Sequence, residues 1–293
     1  MAKRFSISTT IIHLILALTA FMCVVPLIHI IAISLSESSV ALAGNVYFFP
    51  KRFTLASYER MVTEGTFGRA FVISVLRVIA AVLISMPVMI TMAYALSKSP
   101  RVFRERNVVM WIAVFTMLFG GGLIPFYMVI RSYRLIDSFW VLVLPQVMNV
   151  FNMIILMNFF LGVPVELEEA SIIDGAGVIR TMVSVYLPVS LPSLATITLF
   201  TVVNHWNDFF LGMIFMNKPE NYPLQTYIRS LTLPLANTAT SLMDPRTLAE
   251  LMKINGLTFN ASKIVVSMIP VLIVYPFLQR YFVSGLVLGS VKE

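Results

Sequence analysis

Charged residues are scarce in this chain, and that scarcity restricts where the chain can reside. They make up 12% of its 293 residues, whereas a soluble globular domain typically carries about 25%. Hydrophobic residues make up 58%, and the mean hydropathy is +0.88. This composition excludes an ordinary water-facing surface, so we expect the lipid bilayer to be a large part of the solvent.

Cysteine and nucleotide-binding motifs are also lacking. The single cysteine, Cys23, excludes an internal disulfide and argues against a cysteine-based metal site. Because it lies in an apolar run, we expect it to be a small buried side chain. No phosphate loop of the form G-x-x-x-x-G-K-S/T occurs, so the chain is not expected to bind ATP in that way.

Six apolar stretches are long enough to cross a membrane. About 20 apolar residues, each rising about 1.5 Å, span a hydrocarbon core of about 30 Å. The stretches cover 11–33, 70–96, 108–130, 139–161, 189–216 and 262–282. The sequence therefore predicts an all-α, polytopic membrane helix bundle of six transmembrane helices, with residues 1–293 forming one transmembrane domain.

Basic residues predict the orientation of these spans. The net charge is +7, and the short link between the second and third spans contains Lys98, Arg101, Arg104 and Arg106. Short loops rich in Lys and Arg lie on the cytoplasmic side, so no nucleic-acid partner is needed to explain the charge. Both termini and the linker 162–187 are then expected inside, whereas the segments 34–69, 131–138 and 217–261 are expected outside.

The linker 162–187 contains the most specific pattern. Pro164 suits the first turn of a helix. Three acids follow where the positive end of the helix dipole favours them: Glu166, Glu168 and Glu169. Gly175 is suited to end this helix, and a second short helix is predicted from Val178. A short acidic and apolar helix between two spans can fit a socket on a soluble partner.

This spacing resembles the signature of ABC importer permeases: E-A-A, three residues, G, nine residues, I, one residue, L-P. The identical positions are Glu169, Ala170, Gly175, Leu187 and Pro188. Ser171 replaces the second alanine and Val185 replaces the isoleucine, while Asp174 and Ala176 complete the D-G-A version common in sugar importers. In that family the segment is a coupling helix that docks in a cleft of the ATPase subunit.

The resemblance implies a set of ATPase-coupling residues and a type I ABC importer permease fold. The coupling candidates are Glu168, Glu169, Ala170, Ser171, Asp174, Gly175 and Ala176. Glu168 and Glu169 are expected to pair with basic residues of the ATPase. ATP and Mg²⁺ would be bound by that partner, with no cofactor in this chain.

Three further stretches are similar to the smaller permease of maltose-type carbohydrate importers, especially those for larger oligosaccharides such as alginate. They are FGGGLIPFY at 119–127, WNDFF at 206–210 and YPFLQRYFVSGLVLGSVKE at 275–293. In the maltose-type system the C-terminal tail inserts between the ATPase subunits. By that resemblance, Gly285, Gly289 and Lys292 are candidate ATPase contacts.

The same resemblance implies the partners and the location of the chain. The partners would be a homologous second permease, two ATPase subunits and an extracytoplasmic solute-binding protein that touches the loop 217–261. The substrate would be an oligosaccharide, including acidic ones such as alginate fragments. The location would be the inner membrane of a bacterium.

Polar residues within the spans are candidates for the substrate path, because such residues are costly in a bilayer. The candidates are Asn152, Asn204, Trp206, Asn207 and Asp208. Trp rings stack on the apolar faces of sugars, and amides bond to their hydroxyls. Alternatively, Trp206 anchors the span at the membrane interface, and Asp208 and Arg77 pair with each other or with the partner permease for structural reasons.

Other classes of protein remain open on the residues alone. A membrane-embedded enzyme would need a catalytic constellation at the water interface, and only isolated polar residues are visible. An ion-coupled secondary transporter usually has duplicated, broken helices and more charge within its spans. Within the ABC family, the alternative is a permease for amino acids or peptides.

Overall fold

The computed structural model describes residues 7–63, 65–230 and 256–289. Within these ranges the regular structure is helical, apart from one isolated antiparallel bridge between Ser36 and Phe53. The prediction of an all-α fold is confirmed. The chain divides into two compact units, residues 1–68 with 228–269 and residues 69–227 with 270–293. A single domain over 1–293 stays a prediction.

The helices in chain order are α1 (Ile7–Ser34), α2 (Ser38–Leu42), α3 (Ala56–Thr63), α4 (Thr66–Ser97), α5 (Arg106–Leu118), α6 (Leu123–Ser132), α7 (Val150–Leu161), α8 (Val165–Ile173), α9 (Val178–Thr181), α10 (Leu187–Val189), α11 (Leu191–Asn207), α12 (Phe210–Phe215) and α13 (Leu257–Gly289). Short 3-10 helices cover Phe139–Leu142, Leu144–Gln146 and Pro219–Asn221, and one π-helical turn covers Met182–Tyr186.

Three helices are long and apolar enough to cross a membrane alone: Ile11–Ser34 of α1, Thr66–Ser97 and Leu257–Pro276 of α13. Three more spans appear when bent helix pairs are counted as one. These are α5 with α6, residues 139–146 with α7, and residues 178–189 with α11, bent by 115°, 46° and 86°. The described part of the chain therefore contains up to six candidate spans, in agreement with the predicted number, and three of these six are bent pairs.

The breaks have local causes. Three consecutive glycines separate α5 from α6, and Gly122 adopts a φ of 85° that disfavours other residues. Pro145 lies in the short 3-10 helix before the second break, and Asn149 caps α7 by accepting a hydrogen bond from the Asn152 N–H at 3.0 Å. The predicted fifth span, 189–216, was wrong in its second half, since α11 ends at Asn207 and α12 begins at Phe210.

The unit of residues 1–68 and 228–269 contains α1 to α3 and the start of α13. The hydroxyl of Thr258 lies 2.8 Å from that of Ser38 and accepts a hydrogen bond from Ser57 at 3.3 Å. Most of α1 is exposed in the isolated chain because no other described segment covers it. Cys23 lies on this helix and is exposed, so its predicted burial was wrong.

The unit of residues 69–227 and 270–293 contains two apolar clusters that position the candidate sites. In the first, side chains of α4, α7 and α11 pack together, among them Leu96, Phe160 and Ile197, each at most 1% exposed. In the second, Leu142 and Phe215 are fully buried and bring the 3-10 turn at 139–142 against α12. Burial of this apolar surface holds these helices and the 3-10 turn in position next to one another.

Candidate coupling and translocation sites

The helix α8 ends as the sequence predicted. Its C-cap is Asp174, and Gly175 follows with a φ of 77°. The Gly175 N–H donates to the Ile172 carbonyl at 2.9 Å, and the Ala176 N–H donates to the Ser171 carbonyl at 3.0 Å. This pair of bonds is a Schellman motif, which satisfies carbonyls at the end of the helix and requires a left-handed residue at the glycine position.

The predicted coupling residues lie on different sides of this segment. Glu169, Ala170, Asp174 and Gly175 are exposed, and Ala176 is half-buried. By contrast, Ser171 is buried and its hydroxyl lies 3.0 Å from that of Thr181 in α9. Ser171 therefore joins the two short helices, whereas the four exposed residues are available to a partner.

Glu168 lies at the centre of a polar cluster within the chain. Its carboxylate accepts hydrogen bonds from the Lys98 ammonium at 2.6 Å and from the Tyr186 hydroxyl at 2.5 Å. The Lys98 ammonium also donates to the Tyr186 hydroxyl at 3.0 Å and lies over the rings of Tyr94 and Tyr186, 4.1 and 4.2 Å from their centroids. Phe160 closes the group with an edge contact to Tyr186. We call these five residues the Lys98 cluster.

The Lys98 cluster favours the ionised carboxylate. Partial burial alone would raise the pKa of Glu168, but the hydrogen bonds from Lys98 and Tyr186 outweigh it and hold the pKa below its ordinary value. The side chains of Lys98 and Glu168 are 12% and 23% exposed. Glu168 was expected to pair with a basic residue of another subunit, but in this structure its charge is already paired within the chain.

Large aliphatic side chains are also exposed on α8 and α9, and the sequence analysis did not single them out. Ile172 and Ile173 are 59% and 85% exposed, and Val178 and Ile179 are 71% and 74% exposed. Exposed apolar side chains in a linker predicted to lie at the membrane surface are candidates for contact with a partner. The signal that could have revealed these residues is their position in a linker predicted to lie outside the membrane.

A second ion pair lies deep among the predicted spans. Arg77 is fully buried, and its guanidinium donates to the carbonyls of Leu142 and Asp208, each at 2.8 Å, as well as to the Asp208 carboxylate. The side-chain amide of Gln146 reaches the same carboxylate at 3.4 Å. We call Arg77, Leu142, Gln146 and Asp208 the Arg77 cluster. It joins α4 to the 3-10 turns of residues 139–146 and to the residues between α11 and α12.

The structure separates the candidate residues of the substrate path. Trp206 is 4% exposed and packs edge-on against Phe71, with the ring centroids 5.7 Å apart, so its face is not free to stack on a sugar. Asn152 is also buried. Asp208 is bound in the Arg77 cluster, as the structural alternative predicted. Asn204 and Asn207 are exposed, and because they are three residues apart they share one face of α11.

Known proteins are similar to this chain over nearly its whole length. The chain is 35% identical over 277 residues to the polygalacturonan/rhamnogalacturonan transport system permease protein YtcP of Bacillus subtilis, covering 94% of this chain and 95% of that protein. It is 37% identical over 279 residues to the Protein LplC of the same organism, covering 92% of this chain and 89% of that protein. The chain belongs to the permeases of ABC carbohydrate importers. No family model matches it.

A solved structure supports the same fold for this permease. A chain of a bacterial ABC transporter involved in the import of the acidic polysaccharide alginate is 30% identical, with a TM-score of 0.82. The match covers 96% of the permease and 100% of that chain. The expected ABC permease fold is therefore confirmed.

Some predicted contacts of the permease stay predictions. Gly285 and Gly289 lie in the backbone of α13, whereas Lys292 lies outside the described residues. Of the loop 217–261, residues 231–255 also lie outside them. Among the residues that were described, no group of three or more His, Cys, Asp and Glu side chains could hold a metal ion.

Proposed function

We propose that this permease moves uronate-containing oligosaccharides across the cytoplasmic membrane by alternating access, in a complex driven by separate ATPase subunits. The similarity to two proteins with acidic polysaccharides in their descriptions supports the substrate class. One description gives polygalacturonan and rhamnogalacturonan, and the other gives alginate. The amino-acid or peptide alternative is not favoured by these relatives.

The observation that carries the drive mechanism is the exposed surface of α8 and α9. It combines Glu169 with four exposed aliphatic side chains, two on α8 and two on α9, on either side of a left-handed glycine. A cleft in a partner can bury the aliphatic groups, while the carboxylate pairs with a basic residue at the rim. The ATPase would supply the ATP and Mg²⁺ sites, since this chain has no phosphate loop.

The remaining partners follow from the same assignment. A homologous second permease would complete the path, and an extracytoplasmic binding protein would deliver the sugar to the outer segments. Both termini and the segment 162–187 would lie inside, in accordance with the basic residues between the second and third spans. The exposed amides of Asn204 and Asn207 are the proposed contacts of this subunit with sugar hydroxyls.

Uptake by the reconstituted complex tests the substrate class. Proteoliposomes containing both permeases, the ATPase and the binding protein are supplied with ATP and with oligogalacturonate, oligomannuronate, a neutral maltodextrin or a peptide of similar size. We expect ATP-dependent uptake of the uronate oligomers. Uptake of only the peptide, or of only the neutral sugar, would refute the proposed substrate class.

A charge reversal at Glu169 tests the drive mechanism. Glu169→Lys should weaken co-purification of the ATPase, because it places a like charge opposite the basic rim of the cleft. Glu59→Lys on α3 is the matched control, since Glu59 is also an exposed glutamate but lies in a segment predicted to be outside. Equal recovery of the ATPase with both variants would contradict the docking site.

A further inference from the structure

We propose that α4 receives the movement of α8 through the Lys98 cluster and carries it to the Arg77 cluster. This inference rests on the proposed function, in which the ATPase acts on α8. It assigns Lys98, Glu168 and Tyr186 a positioning role: they transmit the movement and do not themselves contact the ATPase.

The contact between α8 and α4 is short and restrained, which suits it to transmit a movement. Helices α7 and α9 are joined to α8 by short links of the chain itself. The contact with α4 is a tertiary one, because Lys98 directly follows the last residue of α4 and is 70 positions away from Glu168 in the sequence. Two charge-assisted hydrogen bonds at 2.6 and 2.5 Å hold the carboxylate on both oxygens. Lys98 is further restrained over two aromatic rings.

The aromatic rings tie this contact to the packed core. Tyr94 and Tyr186 meet at 81° with their centroids 4.9 Å apart, and Phe160 of α7 lies 6.3 and 5.5 Å from their respective centroids. The exposed fractions of Tyr94, Phe160 and Tyr186 are 5%, 1% and 4%. A displacement of α8 therefore acts on close-packed side chains, which transmit strain because they have little room to yield.

Helix α4 is long enough to carry the movement across a bilayer. It is helical from Thr66 to Ser97 and continues through Pro87. Arg77 lies 20 residues before Ser97, which corresponds to about 30 Å along the axis. Arg106 adds a bond to this end of the helix, because its guanidinium donates to the Leu96 carbonyl at 2.6 Å.

At its far end, this path reaches two points where regular α-helix is interrupted. Arg77 donates to the Leu142 carbonyl, in the 3-10 turn at 139–142, and to the Asp208 carbonyl, between the end of α11 and the start of α12. A shift of α4 would thus act on the backbone of two segments where regular α-helix is interrupted. Broken spans change their angle with little loss of regular hydrogen bonding, which suits a path that alternates between two openings.

The ratio of sugar imported to ATP hydrolysed tests this role. It is measured in proteoliposomes of the complete complex with Glu168→Gln, Lys98→Met and Tyr186→Phe. We expect the ATPase to stay bound and the ratio to fall by about fivefold or more for the first two variants, the lower end of typical coupling between sites. Tyr186→Phe removes one hydroxyl, keeps the ring and should cause a smaller fall.

Two control variants distinguish loss of the Lys98 cluster from a general effect of changing charges in this region. Glu166→Gln removes an exposed acid from the same helix and should leave the ratio unchanged. Lys98→Arg keeps a positive charge that can lie over the rings and should retain more of the coupling than Lys98→Met. An unchanged ratio in Glu168→Gln would overturn the inference. So would a parallel loss of uptake and hydrolysis in all three cluster variants, which indicates a merely structural role.

Failure of the proposed function would look different. In that case the unmodified complex would import no uronate oligomer, or Glu169→Lys would bind the ATPase normally. A complex that imports sugar normally and still shows no effect of Glu168→Gln overturns only the role of the Lys98 cluster.

Discussion

The Arg77 cluster and the Lys98 cluster each contain an ion pair next to α4, but the two cations bond to different kinds of groups. Arg77 directs two of its bonds to backbone carbonyls, and its own side chain is 1% exposed. Lys98 bonds to side chains, and its ammonium lies at the edge of the protein, where it is 12% exposed. One cluster therefore holds backbone where helices are interrupted, whereas the other joins side chains of different helices near the surface.

The difference in burial predicts a difference in cost. Removing one partner of a buried ion pair typically costs about 3–5 kcal/mol, because the other charge is left without compensation. An exposed pair contributes about 0–1 kcal/mol. The Lys98 cluster is intermediate, since its charges are hydrogen-bonded but retain some contact with solvent. We therefore expect damage to the Arg77 cluster to appear as instability and damage to the Lys98 cluster to appear as lost coupling.

The largest effect is expected from Arg77→Met. It removes three bonds and leaves the Asp208 carboxylate nearly buried and unpaired, at a cost of about 3–5 kcal/mol in folding free energy. Thermal unfolding of the complex in lipid nanodiscs measures this loss. Arg69→Met on the same helix is the control, because Arg69 is exposed. Equal unfolding temperatures for the two variants would show that the Arg77 cluster contributes no special stability, and the expected difference from the Lys98 cluster would be lost.

Tight packing next to the Arg77 cluster predicts the second effect. A Cβ at Gly212 in α12 would lie 2.9 Å from the Cβ of Thr226 and 3.0 Å from the Cδ of Pro223. Gly212→Ala should therefore destabilise the permease by about 1–3 kcal/mol. Gly68→Ala, where no atom lies within 4 Å, should not. Similar unfolding temperatures for the two would show that α12 can shift freely.

The end of α8 should respond more weakly. Gly175 has a φ of 77° but open space around its Cβ position, so Gly175→Ala incurs only backbone strain of about 1–2 kcal/mol. Gly175→Asn should cost less, because asparagine tolerates this conformation. Recovery of bound ATPase, measured by titration, should follow the order Gly, Asn, Ala. Better binding with alanine than with asparagine would exclude a left-handed conformation in the docked state.

The smallest effect is expected from pH. The folded-state pKa of Glu168 lies below its ordinary value of 4.5, so its contribution to stability is fully present above that value and is lost as the pH falls through the lowered pKa. The stability difference between the unmodified protein and Glu168→Gln should thus be constant from about pH 6 to 8 and shrink below about pH 4.5. A loss of the difference near pH 6 would contradict an ionised, hydrogen-bonded carboxylate.

Local signals in the sequence predicted the helices and the end of α8, because apolar length and a left-handed glycine act through neighbouring residues. The break at Asp208 was not predicted, since WNDFF contains neither glycine nor proline. The pairing of Glu168 within the chain could not be predicted from local spacing either, because its partner Lys98 is remote in the sequence. Trp206 illustrates the same limit: its type suggested sugar stacking, but tertiary packing against Phe71 decides its exposure.

The position of α8 is the central claim, and thiol labelling tests it most directly. In a Cys23→Ser background, Ile173→Cys places one thiol at the most exposed large hydrophobic residue of this helix, which is 85% exposed. A membrane-impermeant maleimide should label inside-out vesicles only after the ATPase is stripped, and should not label right-side-out vesicles. Labelling from the outside, or equal labelling with the ATPase bound and stripped, would contradict the account.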